Sequence, residues 1–527
     1  MKHLKKIASL LLAVVMVLTM SVATFAAYNN KDSKVDLKNH TFAAYQIFSG
    51  TFDSVNKKLT NIQWANGVPN AGADLLSEIK KISLSNMSKP FENCSNASEV
   101  AETLANYTDD SDVAKKFAVL VKGKLGTEVA RGIGTVNLPN AGYYLIEDIT
   151  SMTDEKGNKT DNARNLSLLE VNAATLITPR NKTDKPSLEK KVKDINDSDN
   201  NGKSEWQDSA DYDIGDTIPY QLTATMGDLT NYDKYYVEFH DTMTNLTFTG
   251  IKSVKVGDIV LEKNETKKDY EENWDATNKI LTISITDVKA FGATKGTKIV
   301  VEYEATLDKT ANIGSDGNPN TAYLIYSNNP DNAGSGETGK TTEDKNIVFT
   351  YKVTVNKTNE KKEALPGAAF ELFKKEMILD GEGNKTDNFR WKSLGVVGRN
   401  EDGTSTGETT FSWKGLDDGD YFIREVLTPV GYNSIEDKYF TVTATHDSLK
   451  DDPELTDLSG NPKTGSVITL DTTIKSGEVS TTVVNKSGST LPETGGIGTT
   501  IFYVVGVVLM LGAGVLLITK RRMSAKH

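Results

Sequence analysis

Three polar residues in the C-terminal third of the chain share strand faces that are otherwise apolar. Lys357 has the parity of the apolar residues of "YKVTVNK", Glu425 that of "YFIREV" and Asn485 that of "TTVVN", so each side chain is expected to point inward. Burial lowers the pKa of a lysine and raises that of a carboxyl group. An uncharged lysine is a nucleophile, and a protonated carboxyl group can polarise a carboxamide. The alternative is a buried Lys357–Glu425 salt bridge, which costs desolvation without an obvious gain.

The segments around these residues resemble a known domain. "YKVTVNKTNEKKEALPGAAFELFKK", "GDYFIREVLTPVGY" and "STTVVNKSG" resemble, in order, the first strand, the glutamate box and the last strand of the collagen-adhesin B-type domain. The resemblance implies an isopeptide bond between Lys357 and Asn485, with Glu425 as the assisting acid. Such a bond would stabilise the domain by about 4 to 5 kcal/mol, as a disulfide of that span would. It would replace disulfides in a chain whose one cysteine is Cys94.

Four earlier segments look like the middle, isopeptide-forming domain of Gram-positive fimbrial proteins: "PSLEKKVKD", "DIGDTIPYQLTATM", "YYVEFHDTMTNLTFTG" and "NPNTAYLIYSNNP". The resemblance implies a bond from Lys190 or Lys191 to Asn320. Lys190 has the parity of its apolar neighbours, which favours it over Lys191.

The assisting acid of this second bond stays open between two residues. Asp241 shares the face of the apolar residues in "VEFHD", and Asp216 shares that of the two isoleucines in "IGDTI". Either aspartate could instead accept a hydrogen bond from a turn or strand-end amide. Sequence parity therefore gives two candidates, Asp241 and Asp216.

The N-terminal segments "DLKNHTFAAYQIFSGTF" and "LPNAGYYLIEDIT" resemble the first domain of fimbrial backbone subunits. Glu147 has a glutamate-box-like place, but no lysine and asparagine partners stand out, so no bond is predicted there. In that family the domain ends with a lysine, in a motif close to Tyr-Pro-Lys-Asn, that attacks the sortase acyl-enzyme. Here "LITPRNKTDKP" has Arg180 at that position, and arginine stays protonated. Lys182, and in second place Lys185, are the candidate acceptors; the alternative for each is a solvated linker charge.

Both ends of the chain carry processing signals. Residues 1–26 have three lysines, an apolar run and small residues, which predicts a secretory signal peptide cleaved after Ala26. At the other end, an apolar run from Ile501 to Ile518, about 27 Å long as a helix, is just enough to cross a membrane. A basic tail follows it.

A short motif precedes that run: Leu491, Pro492, Glu493, Thr494 and Gly495. The order of motif, apolar span and basic tail resembles the sorting signal of Gram-positive surface proteins. In that family a membrane sortase cuts between the threonine and the glycine, here Thr494 and Gly495, and passes the threonine carboxyl to an amine. The alternative is a plain membrane anchor behind a chance match.

Composition excludes several function classes. The chain has 527 residues and a net charge of −12, which argues against nucleic-acid binding. Its five histidines are scattered and form no nucleophile–base–orienter set or metal-ligand spacing. We therefore expect no enzyme, no metal and no cofactor.

The organisation between the ends is predicted to be all-β. Short alternating runs rich in Val, Ile, Thr and Tyr, separated by turn residues, are typical of tandem immunoglobulin-like β-sandwiches. Helical spacing at about 72–125 predicts a helical insertion in the first of them. The expected segments are 1–26, 27–183, 184–346, 347–487 and 488–527.

Together these features predict a shaft subunit of a covalently polymerised pilus on the Gram-positive cell wall. The expected partners are sortase, identical subunits, ancillary pilins and peptidoglycan, with a host surface ligand as a further candidate. The alternative, which Arg180 favours, is a wall-anchored adhesin or a tip or ancillary pilin that binds a host ligand.

Overall fold

A computed structural model provides the structure of the chain. It describes residues 37–84, 88–108, 111–154, 156–160, 163–164, 166–179, 184–194, 205–230, 232–264, 266–330, 337–379, 385–488 and 497–524. The signal peptide, Arg180, Lys182 and the motif 491–495 lie outside these residues. The described part is mainly β-structure, which confirms the predicted all-β class.

The N-terminal module (residues 37–179) is built on a sheet with the order β2-β1-β5-β6, to which β3 adds by pairing with β1. A separate two-stranded sheet pairs β4 with β7 in antiparallel orientation. The strands are β1 Thr41–Asp53, β2 Lys58–Trp64, β3 Ala130–Ile133, β4 Val136–Leu138, β5 Gly142–Asp148, β6 Leu166–Val171 and β7 Thr175–Ile177.

The predicted helical insertion is confirmed between β2 and β3. It consists of α1 Ala73–Ile79, α2 Ala97–Leu104 and α3 Asp112–Lys122. The side chain of Asn96 accepts a hydrogen bond from the amide of Glu99 and caps α2, as Ser111 caps α3. The apolar stripe of α3 packs into the core beside β1, so the insertion covers one face of the first sheet.

The middle module (residues 184–349) is a sandwich of two sheets. One has the order β10-β20-β18-β12-β16-β15, with β19 on β18, and the other the order β14-β13-β17-β11-β8-β9. The strands are β8 Ser187–Asp194, β9 Glu205–Gln207, β10 Ser209–Asp211, β11 Thr217–Thr225, β12 Val237–Met243, β13 Leu246–Val256, β14 Ile259–Val260, β15 Glu271–Asp275, β16 Ile280–Ile285, β17 Lys298–Leu307, β18 Asn318–Ser327, β19 Thr338–Lys340 and β20 Asp344–Phe349.

The C-terminal module (residues 350–488) is a second sandwich, with the orders β24-β21-β29-β28 and β23-β22-β25-β26-β27. Its first and last strands run parallel, in a register from Lys352 opposite Glu478 to Asn359 opposite Asn485. The strands are β21 Tyr351–Asn359, β22 Ala369–Leu379, β23 Lys385–Val397, β24 Thr410–Leu416, β25 Gly419–Leu427, β26 Lys438–His446, β27 Leu455–Pro462, β28 Leu470–Thr473 and β29 Glu478–Asn485.

The middle and C-terminal modules meet closely. The amide of Ile214 donates to the carbonyl of Gly415 (2.9 Å), and that of Gly314 to the carbonyl of Thr350 (3.0 Å). Gly415 has φ +75°, and a Cβ there would lie 2.2 Å from Cδ1 of Ile214. Only glycine therefore fits this contact. The expected boundary after residue 346 falls inside β20, which pairs with β18, so we propose that it follows Phe349.

The chain ends in α4, Ile497–Ser524. The span expected at 501–518 begins on residues whose side chains the structure does not describe. Among the described residues, no helix combines the length and apolarity needed to cross a membrane.

Candidate cross-linking sites

The middle module brings Lys190, Asp241 and Asn320 together in its core. They come from β8, β12 and β18, and each side chain is fully buried (0% exposed). Nζ of Lys190 donates to Oδ2 of Asp241 at 2.5 Å and to the hydroxyl of Tyr303 at 2.8 Å. The lysine and the asparagine that the sequence paired thus share one buried site, which we call the middle triad.

Tyr303 is a fourth residue at the middle triad, and the sequence did not single it out. Its hydroxyl donates to Oδ2 of Asp241 at 2.6 Å and accepts from Nδ2 of Asn320 at 2.9 Å. Its ring stacks on Tyr220, with centroids 5.2 Å apart. In "IVVEYEATL" this tyrosine shares the parity of core residues, which gives no sign of a polar role. The position of its hydroxyl depends on the packing of two sheets.

Burial sets the electrostatics of the middle triad. Desolvation lowers the pKa of Lys190, although the Asp241 carboxylate opposes the shift. Desolvation and the nearby Asp241 raise the pKa of Tyr303, so its hydroxyl keeps its proton. Within the described residues, Oδ1 of Asp241 and Oδ1 of Asn320 have no hydrogen-bond partner. The asparagine carbonyl is therefore open to a donor or an attacking group.

The other two candidates of the middle module lie elsewhere. Nζ of Lys191 faces Oδ1 of Asp208 at 2.6 Å, away from the core. Asp216 precedes β11, whose Leu222 is the residue paired with Lys190, so Asp216 is about 20 Å from the lysine along the strand. Burial and the neighbouring Asp213 raise the pKa of Asp216 to about 6. The structure brings neither Lys191 nor Asp216 to Asn320.

The C-terminal module gathers Lys357, Glu425 and Asn485, which we call the C-terminal triad. Lys357 is 1% and Asn485 0% exposed, and Glu425 is partly buried. Nδ2 of Asn485 donates to Oε1 and Oε2 of Glu425 at 2.8 and 3.1 Å. Lys357 lies opposite Val483 in the parallel register, so Asn485 follows two residues later on the same face.

Lys357 is held by backbone carbonyls. Its Nζ donates to the carbonyl of Thr358 at 2.8 Å and to that of Val483 at 3.3 Å. Desolvation lowers its pKa to about 8, against the pull of Glu425. Desolvation also raises the pKa of Glu425. Both shifts favour an uncharged amine beside a protonated carboxyl group, and Oδ1 of Asn485 has no partner among the described residues.

The N-terminal module and the linker contribute fewer candidate cross-linking residues. Glu147 faces Nζ of Lys122, on helix α3, at 3.3 Å. The absence of a bond there stays a prediction. Lys185 lies just before β8 and is partly buried.

Comparisons with known proteins cover the C-terminal part most clearly. Residues 351–458 match the SpaA prealbumin-like fold domain, and residues 483–524 match the LPXTG cell wall anchor motif. The chain is a cell-wall-anchored surface protein. It is 30% identical over 280 residues to the trypsin-resistant surface T6 protein of Streptococcus pyogenes serotype M6, covering 42% of this chain and 48% of that protein. The chain thus matches about half the length of this relative.

Two solved structures are also similar. The T6 backbone pilin of S. pyogenes serotype M6 has 16% identity and a TM-score of 0.49, covering 87% of this chain and 98% of that chain. The major pilin SpaD of Corynebacterium diphtheriae has 18% identity and a TM-score of 0.43, covering 86% and 90%. The motif match confirms the predicted LPXTG anchor, and the domain match covers the module that precedes it. They are a fold domain and an anchor, in line with a chain that is not an enzyme.

Proposed function

We propose that the chain is a shaft subunit of a sortase-assembled pilus, stabilised by isopeptide bonds from Lys190 to Asn320 and from Lys357 to Asn485. One observation carries the proposal: each of two sites gathers a buried lysine, a carboxyl group and a buried asparagine. In the middle module Lys190 contacts Asp241, and Tyr303 links Asp241 to Asn320. In the C-terminal module Asn485 contacts Glu425, and Lys357 lies on the adjacent strand, opposite Val483. A buried lysine and a buried carboxyl group are costly to keep as mere packing. A permanent bond removes the amine charge altogether.

The bond forms by attack of the uncharged lysine on the asparagine carboxamide. In the C-terminal triad, Nζ of Lys357 bonds to Cγ of Asn485 while protonated Glu425 donates to Oδ1 of Asn485 and polarises the carboxamide. This step requires the carboxamide to turn from the orientation in which its Nδ2 faces Glu425. The Cγ–Nδ2 bond then breaks, Glu425 relays the lysine proton to the leaving nitrogen, and ammonia departs. The carboxyl group ends in the protonation state in which it started, so the reaction needs no other reactant.

The middle triad supports the same chemistry with a different acid. Asp241 contacts Nζ of Lys190 directly and reaches Asn320 through the hydroxyl of Tyr303. A proton can pass from the amine to Asp241, and through Tyr303 to Nδ2 of Asn320. We assign Asp241 the role of proton relay and Tyr303 that of a bridge between the acid and the leaving group.

Polymerisation uses the anchor motif. Sortase breaks the Thr494–Gly495 peptide bond as its cysteine takes the threonine acyl group, and an acceptor amine then displaces the enzyme. In the shaft, that amine is a lysine of the next subunit, with Lys182 first and Lys185 second; in the last subunit it belongs to peptidoglycan. The similarity to the T6 surface protein and the matched cell wall anchor support this order of events. Ancillary pilins and a host surface ligand are further proposed partners.

Mass spectrometry tests the isopeptide bonds. The purified chain should weigh less than its sequence predicts by the mass of two ammonia molecules, and tryptic digestion should give two cross-linked peptide pairs. Glu425→Ala should restore one ammonia and lose the Lys357–Asn485 pair, while Glu436→Ala, an acid on a nearby loop, should leave both bonds intact. A wild-type mass equal to the calculated mass would show that neither isopeptide bond forms.

Electron microscopy with antibody labelling tests the place in the fibre. A shaft subunit labels periodically along the pilus. Label confined to the tip or to the wall would support the alternative of an adhesin or ancillary pilin instead.

A further inference from the structure

A group of buried carboxylates lies where the middle and C-terminal modules meet. Asp211 ends β10, and Asp417 and Asp418 form the turn between β24 and β25. Their side chains are 1%, 6% and 0% exposed. One carboxylate oxygen of each lies within 4.8 Å of the other two. We call these three residues the junction cluster.

Asp211 is the member whose surroundings demand a ligand. Within the described residues, neither of its carboxylate oxygens accepts a hydrogen bond of regular geometry, although the hydroxyl of Tyr351 and the ring of His446 are donors nearby. The nearest cationic group is Nε2 of His446, 3.5 Å from Oδ1, and this nitrogen also lies 3.9 Å from Asp194. A carboxylate buried to this extent, with no well-aligned donor, is stabilised when a cation binds it.

Lys374, the lysine at the junction, does not neutralise Asp211. Nζ of Lys374 lies 2.8 Å from Asp213 and 3.4 Å from Asp417, so its charge is divided between two acids. His446 is likewise divided between Asp194 and Asp211. The carboxylates of this region therefore outnumber its positive side chains.

We propose that the junction cluster binds a divalent cation of the Ca²⁺ type that joins the two modules. Oxygens that coordinate one Ca²⁺ at about 2.4 Å are at most about 4.8 Å apart, and the three carboxylate oxygens satisfy this limit. Asp211 comes from the middle module, whereas Asp417 and Asp418 come from the C-terminal module. Water completes the coordination, as is usual for this ion.

The local hydrogen bonds hold the ligands in place. Oδ1 of Asp417 accepts from the amide of Asp418 at 2.8 Å, and the carbonyl of Asp417 accepts from the hydroxyl of Tyr421 at 2.6 Å. The amide of Asp417 donates to Oδ1 of Asp213 across the junction at 2.8 Å. The turn is therefore ordered before an ion arrives, and ion binding fixes the orientation of one module on the other.

The test uses the full chain in detergent, stripped of metals with EDTA. Tb³⁺ replaces Ca²⁺ in such sites, and Tyr421 next to Asp417 should sensitise its luminescence. We expect a Tb³⁺ signal that Ca²⁺ displaces, and a rise in Tm on adding Ca²⁺. Asp211→Asn should lose both effects. Asp457→Asn, an exposed acid of the same module, should keep them.

The stability of the variants without metal gives a second test of the proposal. In EDTA, Asp211→Asn should be at least as stable as the wild type, because it removes an uncompensated buried charge. In Ca²⁺ the order should reverse. Asp418→Asn repeats the test if Asp211→Asn fails to fold, with folding judged by circular dichroism.

Three results would overturn the proposal: no Tb³⁺ signal and no Ca²⁺-dependent rise in Tm, a Ca²⁺ effect that survives in both variants, or tighter binding of Zn²⁺ that depends on His446. The site does not rest on the pilus function, and the ammonia losses should be the same in EDTA and in Ca²⁺.

Discussion

Asp241 and Asp216 differ in what surrounds their carboxyl groups. Asp241 contacts the amine of Lys190 and the hydroxyl of Tyr303, whereas Oδ2 of Asp216 accepts only a long hydrogen bond, 3.3 Å, from the amide of Asp213. Both aspartates have the parity of apolar neighbours, so alternation along a strand could not separate them. The two aspartates can be told apart only from the register of β11 on β8. That register is set by pairing between distant segments.

The first prediction follows from this difference. Asp241→Ala should leave Lys190 unbonded, so the variant should weigh one ammonia molecule, and not two, less than the mass calculated for its own sequence. Its stability should fall by about 5 kcal/mol, by analogy with a disulfide that closes a loop of this length. Intact-mass measurement and thermal unfolding check both effects.

Asp216→Ala is the matched control, since it removes a partly buried aspartate of the same module but no contact with the lysine. It should still weigh two ammonia molecules less than the mass calculated for its own sequence. If Asp216→Ala lost the bond and Asp241→Ala kept it, the assignment of the acid would be wrong.

The second prediction concerns the amine of Lys357. In Asn485→Ala the amine stays unbonded, with a pKa lowered to about 8. Between about pH 8 and pH 10 the unfolded chain then binds more protons than the folded one, so stability rises with pH. The slope is on the order of 1 kcal/mol per pH unit once the pH exceeds the folded-state pKa.

Urea unfolding at about pH 8 and pH 9 measures this rise. The double variant Lys357→Met/Asn485→Ala lacks the titrating amine and serves as the reference for all other groups. Equal pH dependence in the two variants would show that the amine of Lys357 titrates normally.

Alternation along a strand predicted burial well where the position of a single residue was enough to decide it. Lys190, Lys357 and Asn485 are buried as their alternation indicated. Tyr303 escaped prediction because a tyrosine on an apolar strand face is ordinary core, and only the approach of β17 to β12 gives its hydroxyl a role. The junction cluster also escaped prediction, because Asp211 is about two hundred residues from Asp417 and Asp418 in the chain.

At the scale of elements, the helical insertion and the strand-rich segments were readable because each periodicity is local. The spacing of α3 shows in its own eleven residues. Strand partners are not local: β21 pairs with β29 across the whole C-terminal module. The expected boundary after residue 346 lies inside β20, and the pairing of β20 with β18 is the reason for the proposed shift to Phe349.

The third prediction tests the contact of β24 with the middle module. Gly415→Val should weaken the junction, because a Cβ at this position would meet Cδ1 of Ile214 at 2.2 Å and the backbone has φ +75°. The strain and clash together should cost about 2 to 4 kcal/mol. Hydrogen exchange should speed up at the amide of Ile214, which donates to Gly415.

Gly403→Val provides the comparison. Gly403 has φ +86°, but a Cβ added there would meet no atom within 4 Å, so this variant carries the backbone strain without the clash. It should leave exchange at Ile214 unchanged. Equal exchange in the two variants would mean that the close approach of Gly415 does not hold the modules together.

At the scale of the whole molecule, polymerisation needs an acceptor amine. Lys182→Arg should abolish the ladder of covalent polymers in cell-wall extracts, because arginine keeps the charge but cannot act as a nucleophile. Lys185→Arg should leave the ladder, since Lys185 precedes Pro186, which restrains it to extended geometry.

The double replacement distinguishes the remaining cases. A ladder that survives it would place the acceptor at another lysine. A wild-type chain that forms no ladder at all would be a subunit that ends a fibre and does not extend it.

The parallel pairing of β21 with β29 has a mechanical consequence. A chain held at the wall by its C-terminus and pulled from its N-terminal side is loaded at the start of β21 and the end of β29. Because the two strands run in the same direction, this tension slides one along the other, and every hydrogen bond from Lys352 to Asn359 is strained at once. Antiparallel strands pulled from adjacent ends would instead open one bond at a time, like a zip. The C-terminal module is therefore built to resist stretching in shear, even before any cross-link forms between the two strands.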